Sequence, residues 1–172
     1  PECFEIVEKL VKPERDVAKD KYYRDKWWQF ARRAVNLYEG IKGFDQCIVV
    51  ARTSKTLAFV KVPNEGVFSA NITAFTFCDW NQFSILQSNL HSAWAWTYGT
   101  TLKTDLIYAP TDIMGTFPFP TLKAPSLMER LDYAGETYHE HRRQLMLGMQ
   151  LGLTKTYNLF HARGLRVVSA AE

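Results

Sequence analysis

Cys47-Ile48-Val49-Val50-Ala51, Leu57-Ala58-Phe59-Val60-Lys61-Val62 and Ile72-Thr73-Ala74-Phe75-Thr76-Phe77 are short, rich in β-branched and aromatic residues, and separated by turn-forming residues. Runs of that length and composition read as strands. Three of them close together predict one mainly antiparallel sheet. Downstream the period changes. Phe83, Leu86, Leu90, Ala93, Trp94 and Tyr98 recur at helical spacing, with Asp79 placed to cap the start and Gly99 to stop the end, so one helix is expected to cover a sheet face. Residues 100–125 carry four prolines and no regular period, and are read as irregular. Leu127, Leu131, Ala134, Tyr138, Arg142, Leu145 and Met149 then mark a long amphipathic helix ending at Gly152, an arm or a packing strut.

Upstream of the strands, Phe4, Val7, Leu10 and Val11 predict a short helix that ends near Lys12, because Pro13 biases its neighbour away from the α region. The stretch from Glu14 to Lys26 alternates cations and carboxylates and reads as a solvated helix or ordered linker. Trp27, Trp28 and Phe30 are expected to dock this segment, and Gly40 and Gly43 to stop its last helix. The fold class is therefore α+β: a small, mainly antiparallel sheet covered by helices, with N-terminal helices and a long C-terminal amphipathic helix.

The 172 residues suit one domain or one domain with an appendage. With 47% hydrophobic, 14% aromatic and 23% charged residues, the chain can fill a core and is neither collagenous nor wholly disordered. No apolar run approaches the roughly 18 residues that span a bilayer, so no membrane partner is expected. Twenty-one Lys and Arg against 18 Asp and Glu leave +3, compatible with a polyanion partner without requiring one. Cys3, Cys47 and Cys78 are odd in number and widely spaced, which points to free thiols in a reducing cytoplasm. The chain opens at Pro1 with no apolar leader, and is expected to be part of something longer.

Familiar catalytic patterns are missing. No Gly-x-Gly-x-x-Gly, Walker loop, Gly-x-Ser-x-Gly elbow, Cys-x-x-Cys, Glu-x-Lys or Asp-x-Lys occurs, and His139 and His141 are two residues apart, on opposite helix faces, where a zinc pair needs four. No catalytic or metal-binding residue is assigned. Arg52-Thr53-Ser54-Lys55, joining the first two predicted strands, sets two cations and two hydroxyls on an exposed tip that can reach phosphates or base edges. A plain polar hairpin looks the same. The 100–112 loop interleaves Lys103, Thr104, Tyr108 and Asp112, which suits groove contacts, although solvated loops share that composition. Trp27 and Trp28 beside Arg24, Lys26, Arg32 and Arg33 could stack on bases, but such a pair more often anchors a core.

Four stretches carry a resemblance: Tyr23-Arg24-Asp25-Lys26-Trp27-Trp28-Gln29-Phe30 with Leu37-Tyr38; Val49 to Lys55; Leu86-Gln87-Ser88-Asn89-Leu90-His91-Ser92-Ala93-Trp94; and Leu102 to Tyr108 running into Thr116-Phe117-Pro118-Phe119-Pro120. With Tyr138 to Arg143 and Gly152-Leu153-Thr154-Lys155-Thr156-Tyr157-Asn158, the chain resembles the C-terminal specificity region of adenine-specific DNA methyltransferases of the type IIG, MmeI-like restriction-modification class. The resemblance implies a target-recognition domain similar to the TaqI-like specificity domain. It also implies double-stranded DNA as partner and an upstream methyltransferase domain of the same parent, using S-adenosylmethionine, with endonuclease activity in some members. No Pro-Pro dipeptide is present, so the methyltransferase's own motif is absent and no cofactor is expected in these residues.

The organisation expected is an N-terminal helical segment over 1–43, a mixed α/β DNA-recognition core over 44–125, a C-terminal helical segment over 126–161, and a tail over 162–172 that departs from the family pattern. DNA contacts are expected first from Arg52, Ser54 and Lys55. Lys103, Thr104, Tyr108 and Asp112 come next, with Arg24 and Lys26 adding backbone attraction. The competing reading is a protein-interaction or scaffold domain whose long helix docks a partner through Leu131, Tyr138 and Leu145.

Overall fold

The computed structural model describes residues 2–30, 33–121 and 123–162, so Arg32 and the tail from 163 lie outside the described residues. The chain forms two compact units that divide between Glu39 and Gly40. The first holds helices α1 (Glu2–Leu10), α2 (Lys12–Asp16) and α3 (Lys21–Asp25), and α4 (Val35–Gly40) runs to the boundary. Pro13 does not close a helix at Lys12 as expected. It sits in the first turn of α2, where a missing N–H leaves no hydrogen bond unmade. Asp20 caps α3 by accepting from the Tyr22 N–H at 2.9 Å. Most charged side chains of the 14–26 stretch are exposed, as expected, while some cations on and beside it lie against aromatic rings. The Arg15 guanidinium lies 4.6 Å from the Tyr23 ring centre and the Lys12 ammonium 5.4 Å from Trp27, which also packs on Phe4.

In the second unit, β1 (Gln46–Ala51) is the middle strand of an antiparallel sheet, flanked by β3 (Val60–Pro63) and β4 (Ile72–Ala74). Cys47 to Val50 are buried on both faces, which is why that run is continuously apolar rather than alternating. The three predicted strands thus pair antiparallel as expected, but the second pairs only over Val60–Pro63 and the third only over Ile72–Ala74, shorter than the runs 57–62 and 72–77. A second three-stranded sheet was not foreseen. It consists of β2 (Thr53–Ser54), β6 (Asp105–Ile107) and β5 (Thr100–Leu102), in the order β2-β6-β5. Its strands, two or three residues long, are too short and polar to show a period.

The helix expected over 79–98 is two helices, α5 (Trp80–Gln87) and α6 (Asn89–Tyr98). Ser88 breaks it with extended backbone: its hydroxyl donates to the Ile85 carbonyl (2.6 Å) and accepts from the His91 N–H (3.2 Å), capping both ends at once. The apolar spacing continues across the break, so periodicity conceals it. The long helix α7 (Pro125–Met149) ends at Gln150, whose φ of 52° stops it, and α8 (Leu153–Phe160) follows. α7 is a packing strut against α5. Gly135 makes the approach possible, since a Cβ there would lie 2.5 Å from both the Trp80 carbonyl oxygen and Ser84 Oγ. Asp132 closes the contact, accepting from the Asn81 backbone (2.6 Å) and side chain (3.0 Å). The core beneath joins Ile48, Val50, Phe59 and Phe75 of the first sheet region to Phe83, Leu86 and Ala95 of the helices and Leu106 and Tyr108 of the second sheet.

Candidate nucleic-acid interface

β1 continues past Ala51 into Arg52, whose backbone is held from two sides. Its N–H donates to the Asn71 carbonyl (2.8 Å) and its carbonyl accepts from the Tyr108 N–H (2.7 Å). Arg52 is therefore the stitch between the two sheets, with its side chain exposed. The tip does not turn directly back into the next strand of the same sheet, as expected. It becomes β2, antiparallel to β6, with Thr53 opposite Ile107 and Ser54 opposite Leu106. β2 ends at Ser54 and Lys55 follows it, while at the start of β6 the β5–β6 hairpin turns through Lys103 and Thr104. Lys103 takes φ 57° there, a left-handed conformation unusual for a residue with a Cβ. Two segments about fifty residues apart in sequence thus become neighbouring strands of one small sheet.

Arg52, Lys55, Lys103 and Thr104 are exposed and Ser54 half-exposed. Among the described residues the only ion pairs are Lys12 with Glu8 and Arg143 with Glu140, so the three cations of this sheet have no carboxylate within 4 Å. The nearby acids are engaged locally: Asp105 accepts from the Thr104 hydroxyl (3.3 Å) and Asp112 from Thr111 (3.0 Å). Unpaired cations with hydroxyls between them are chemically suited to phosphate oxygens and base edges.

Tyr108 requires correction. It is 0% exposed, its ring packs on Phe59 and Phe75, and its hydroxyl meets His91 Nε2 at 3.0 Å. Burial pushes its phenol well above the ordinary range. It is a core residue under the sheet, not a groove contact. Arg24 and Lys26 lie in the first unit. The Arg24 guanidinium donates to the Ala18 and Lys19 carbonyls, which closes the α2–α3 connection, and Lys26 stays exposed over the Tyr22 ring at 5.7 Å.

One buried charge went unassigned in the sequence. Arg142 is 6% exposed and donates to the Phe59 carbonyl (2.6 Å) and the Tyr157 hydroxyl (2.8 Å), with no carboxylate partner among the described residues. Tyr157 in turn meets the Tyr138 hydroxyl at 2.7 Å, and burial with that bond pushes Tyr138 up to about 12. A signal was visible: an arginine on the apolar stripe of an amphipathic helix has to find buried acceptors. His139, four residues after Gly135, packs on Trp80 and Phe83 and accepts from the Lys61 N–H at 3.4 Å, which accounts for it without a metal.

The sequence family described as "MmeI, target recognition domain" matches residues 9–121, well over half of the chain. The chain belongs to that family. The match of this target recognition domain spans most of the first unit, both sheets, α5 and α6, and stops before α7. Among solved structures, the Type IIL restriction-modification enzyme MmeI in complex with DNA is similar, with a TM-score of 0.64 at 15% identity over 84% of this chain. At that identity the likeness is one of fold. The chain corresponds to 19% of that protein's length. No curated protein matches the chain in sequence.

Proposed function

We propose that this target recognition domain reads double-stranded DNA through the β2-β6-β5 sheet, with Arg52, Lys55 and Lys103 holding phosphates, Ser54 and Thr104 available to base edges or the sugar–phosphate backbone, and Asp112, which only accepts, to base amino groups. The observation that carries the reading is the pairing of β2 with β6. It gathers three unpaired cations and several hydroxyls from two distant segments onto one exposed ribbon. Phosphate contacts would fix register and the remaining side chains supply specificity. The catalytic module would lie upstream in the parent chain, an adenine-N6 methyltransferase that holds S-adenosylmethionine, with cleavage as a further activity of some parents. The three free cysteines accord with a reducing cytoplasm.

The scaffold reading has less support. Leu131 is half-buried and the Tyr138 hydroxyl is bonded to Tyr157 within the chain, although the Tyr138 and Leu145 side chains remain exposed. Salt separates the two readings. Anisotropy titrations of the chain against a labelled mixed-sequence duplex should give a log–log salt slope that becomes shallower by about 0.9 for each of Arg52→Ala, Lys55→Ala and Lys103→Ala. In a parent enzyme Arg52→Ala should also change which sites are methylated. Salt-independent binding, or an unchanged slope in all three variants, would overturn the assignment.

A further inference from the structure

The family match ends at residue 121, before α7 and α8. Beside the Lys55 tip lies a groove of about 540 Å³ whose lining includes Lys55 on one side, Ser88 and Asn89 at the α5–α6 break, and Tyr157, Asn158 and His161 of α8 on the other. No Asp or Glu among the described residues lines it. We infer that α8 is a second DNA-contacting element: the groove between Lys55 and α8 seats one sugar–phosphate backbone of the duplex, with Asn158 and Asn89 donating to its phosphates. This rests on the reading that the domain binds duplex DNA, and extends the contact surface past the matched region.

Two further features support that occupant. α8 is fixed on its inner side and free on its outer side. Its Tyr157 hydroxyl is held by Arg142 and Tyr138, and Thr156 is buried with its hydroxyl donating to the Gly152 carbonyl at 3.2 Å. Arg142 also grips the Phe59 carbonyl, tying α8 through α7 to the segment that follows the Lys55 tip. Asn158 and Asn89 are exposed and their amides make no hydrogen bond among the described residues, leaving N–H donors free for a ligand. Charge complementarity decides between occupants. The lining also holds Leu57, Leu86, Trp96 and Phe160, but its one charged side chain is Lys55 and no carboxylate lines it among the described residues, which favours a polyanion, with its sugars against the apolar side chains, over a basic partner. Its volume fits a short run of one backbone, not a whole duplex.

The test uses the full 172-residue chain and a labelled mixed-sequence duplex at several salt concentrations. Asn158→Lys should tighten binding several-fold and steepen the log–log salt slope by about 0.9, a gain that a misfolded protein cannot imitate. Asn158→Asp should weaken binding, with an unchanged circular dichroism spectrum. If the wild type binds and Lys55→Ala weakens it while both Asn158 variants leave affinity and slope alone, the role of α8 is overturned and the sheet reading stands. A wild type that ignores the duplex even at low salt overturns both.

Discussion

Lys103 combines two demands that a single substitution can separate. Its side chain is an exposed cation at the hairpin turn, and its backbone sits at φ 57°, where a Cβ is disfavoured by roughly 1 kcal/mol or more. Lys103→Gly and Lys103→Ala remove the same charge, but only glycine suits the turn. Both variants are expected to weaken duplex binding equally. Lys103→Gly should unfold at or slightly above the wild-type temperature and Lys103→Ala at or below it, as thermal melts would show. Equal melting temperatures would mean that the turn does not govern the hairpin's stability. Tyr108, five residues on, shows why residue type alone misleads at this scale. An aromatic among threonines and aspartates looks like a stacking platform, yet it alternates inward along with Leu106, so the pleat buries both.

At the scale of elements, the Arg142 network does for α8 what Gly135 does for α7. α5 and α7 pack because a missing Cβ lets their backbones approach. α8 has no such contact and is held by side-chain bonds to Tyr157 and by the apolar surface around it. Arg142→Met keeps much of the volume but leaves the Phe59 carbonyl and the Tyr157 hydroxyl without their donor, and is expected to destabilise the chain by about 2–4 kcal/mol in urea unfolding. Tyr157→Phe is milder, about 1 kcal/mol. It should show chiefly as lost amide hydrogen-exchange protection over 153–160 with β1 unaffected. Uniform loss of protection would contradict a local fastening. The elements legible in the sequence were those with a strong period or composition: the three strands of the first sheet, and α7. The second sheet was hidden because its strands are short and polar, and their pairing is set by Arg52 reaching both Asn71 and Tyr108, a long-range contact without a local signature. The Ser88 break was hidden because the apolar spacing runs on across it, although α6 buries His91 and Ala95 and leaves Leu90 and Tyr98 of that stripe exposed. The choice of 52–55 and 103–104 as tips came from charge and hydroxyl content; that they share one ribbon could not be read from either segment by itself.

For the molecule as a whole, the junction between helices and second sheet rests on a neutral histidine. His91 is 0% exposed, its Nε2 pairs with the Tyr108 hydroxyl, its ring meets Phe117 at 4.5 Å, and its Nδ1 has no hydrogen-bond partner among the described residues. Protonation would place an unpaired N–H and a charge in that core, so burial lowers its pKa to about 4. In the unfolded chain the ordinary value is near 6.5. The direction follows from proton uptake. Between these values the unfolded state binds a proton that the folded state refuses, so stability is level above about pH 6.5 and falls as pH drops towards 4. The fall is at most about 1.4 kcal/mol per pH unit from this residue. His139, lowered by burial and by Arg142, adds in the same direction, whereas the Glu140 carboxyl, held down to about 2 by Arg143, titrates below this window. Urea midpoints measured from pH 8 to pH 4 should therefore decline only below about 6.5. In His91→Gln, which can still bond Tyr108 but cannot titrate, the decline should be visibly shallower although the variant starts lower. An identical acid limb in wild type and variant would show that the histidine is not the group that couples this core to pH.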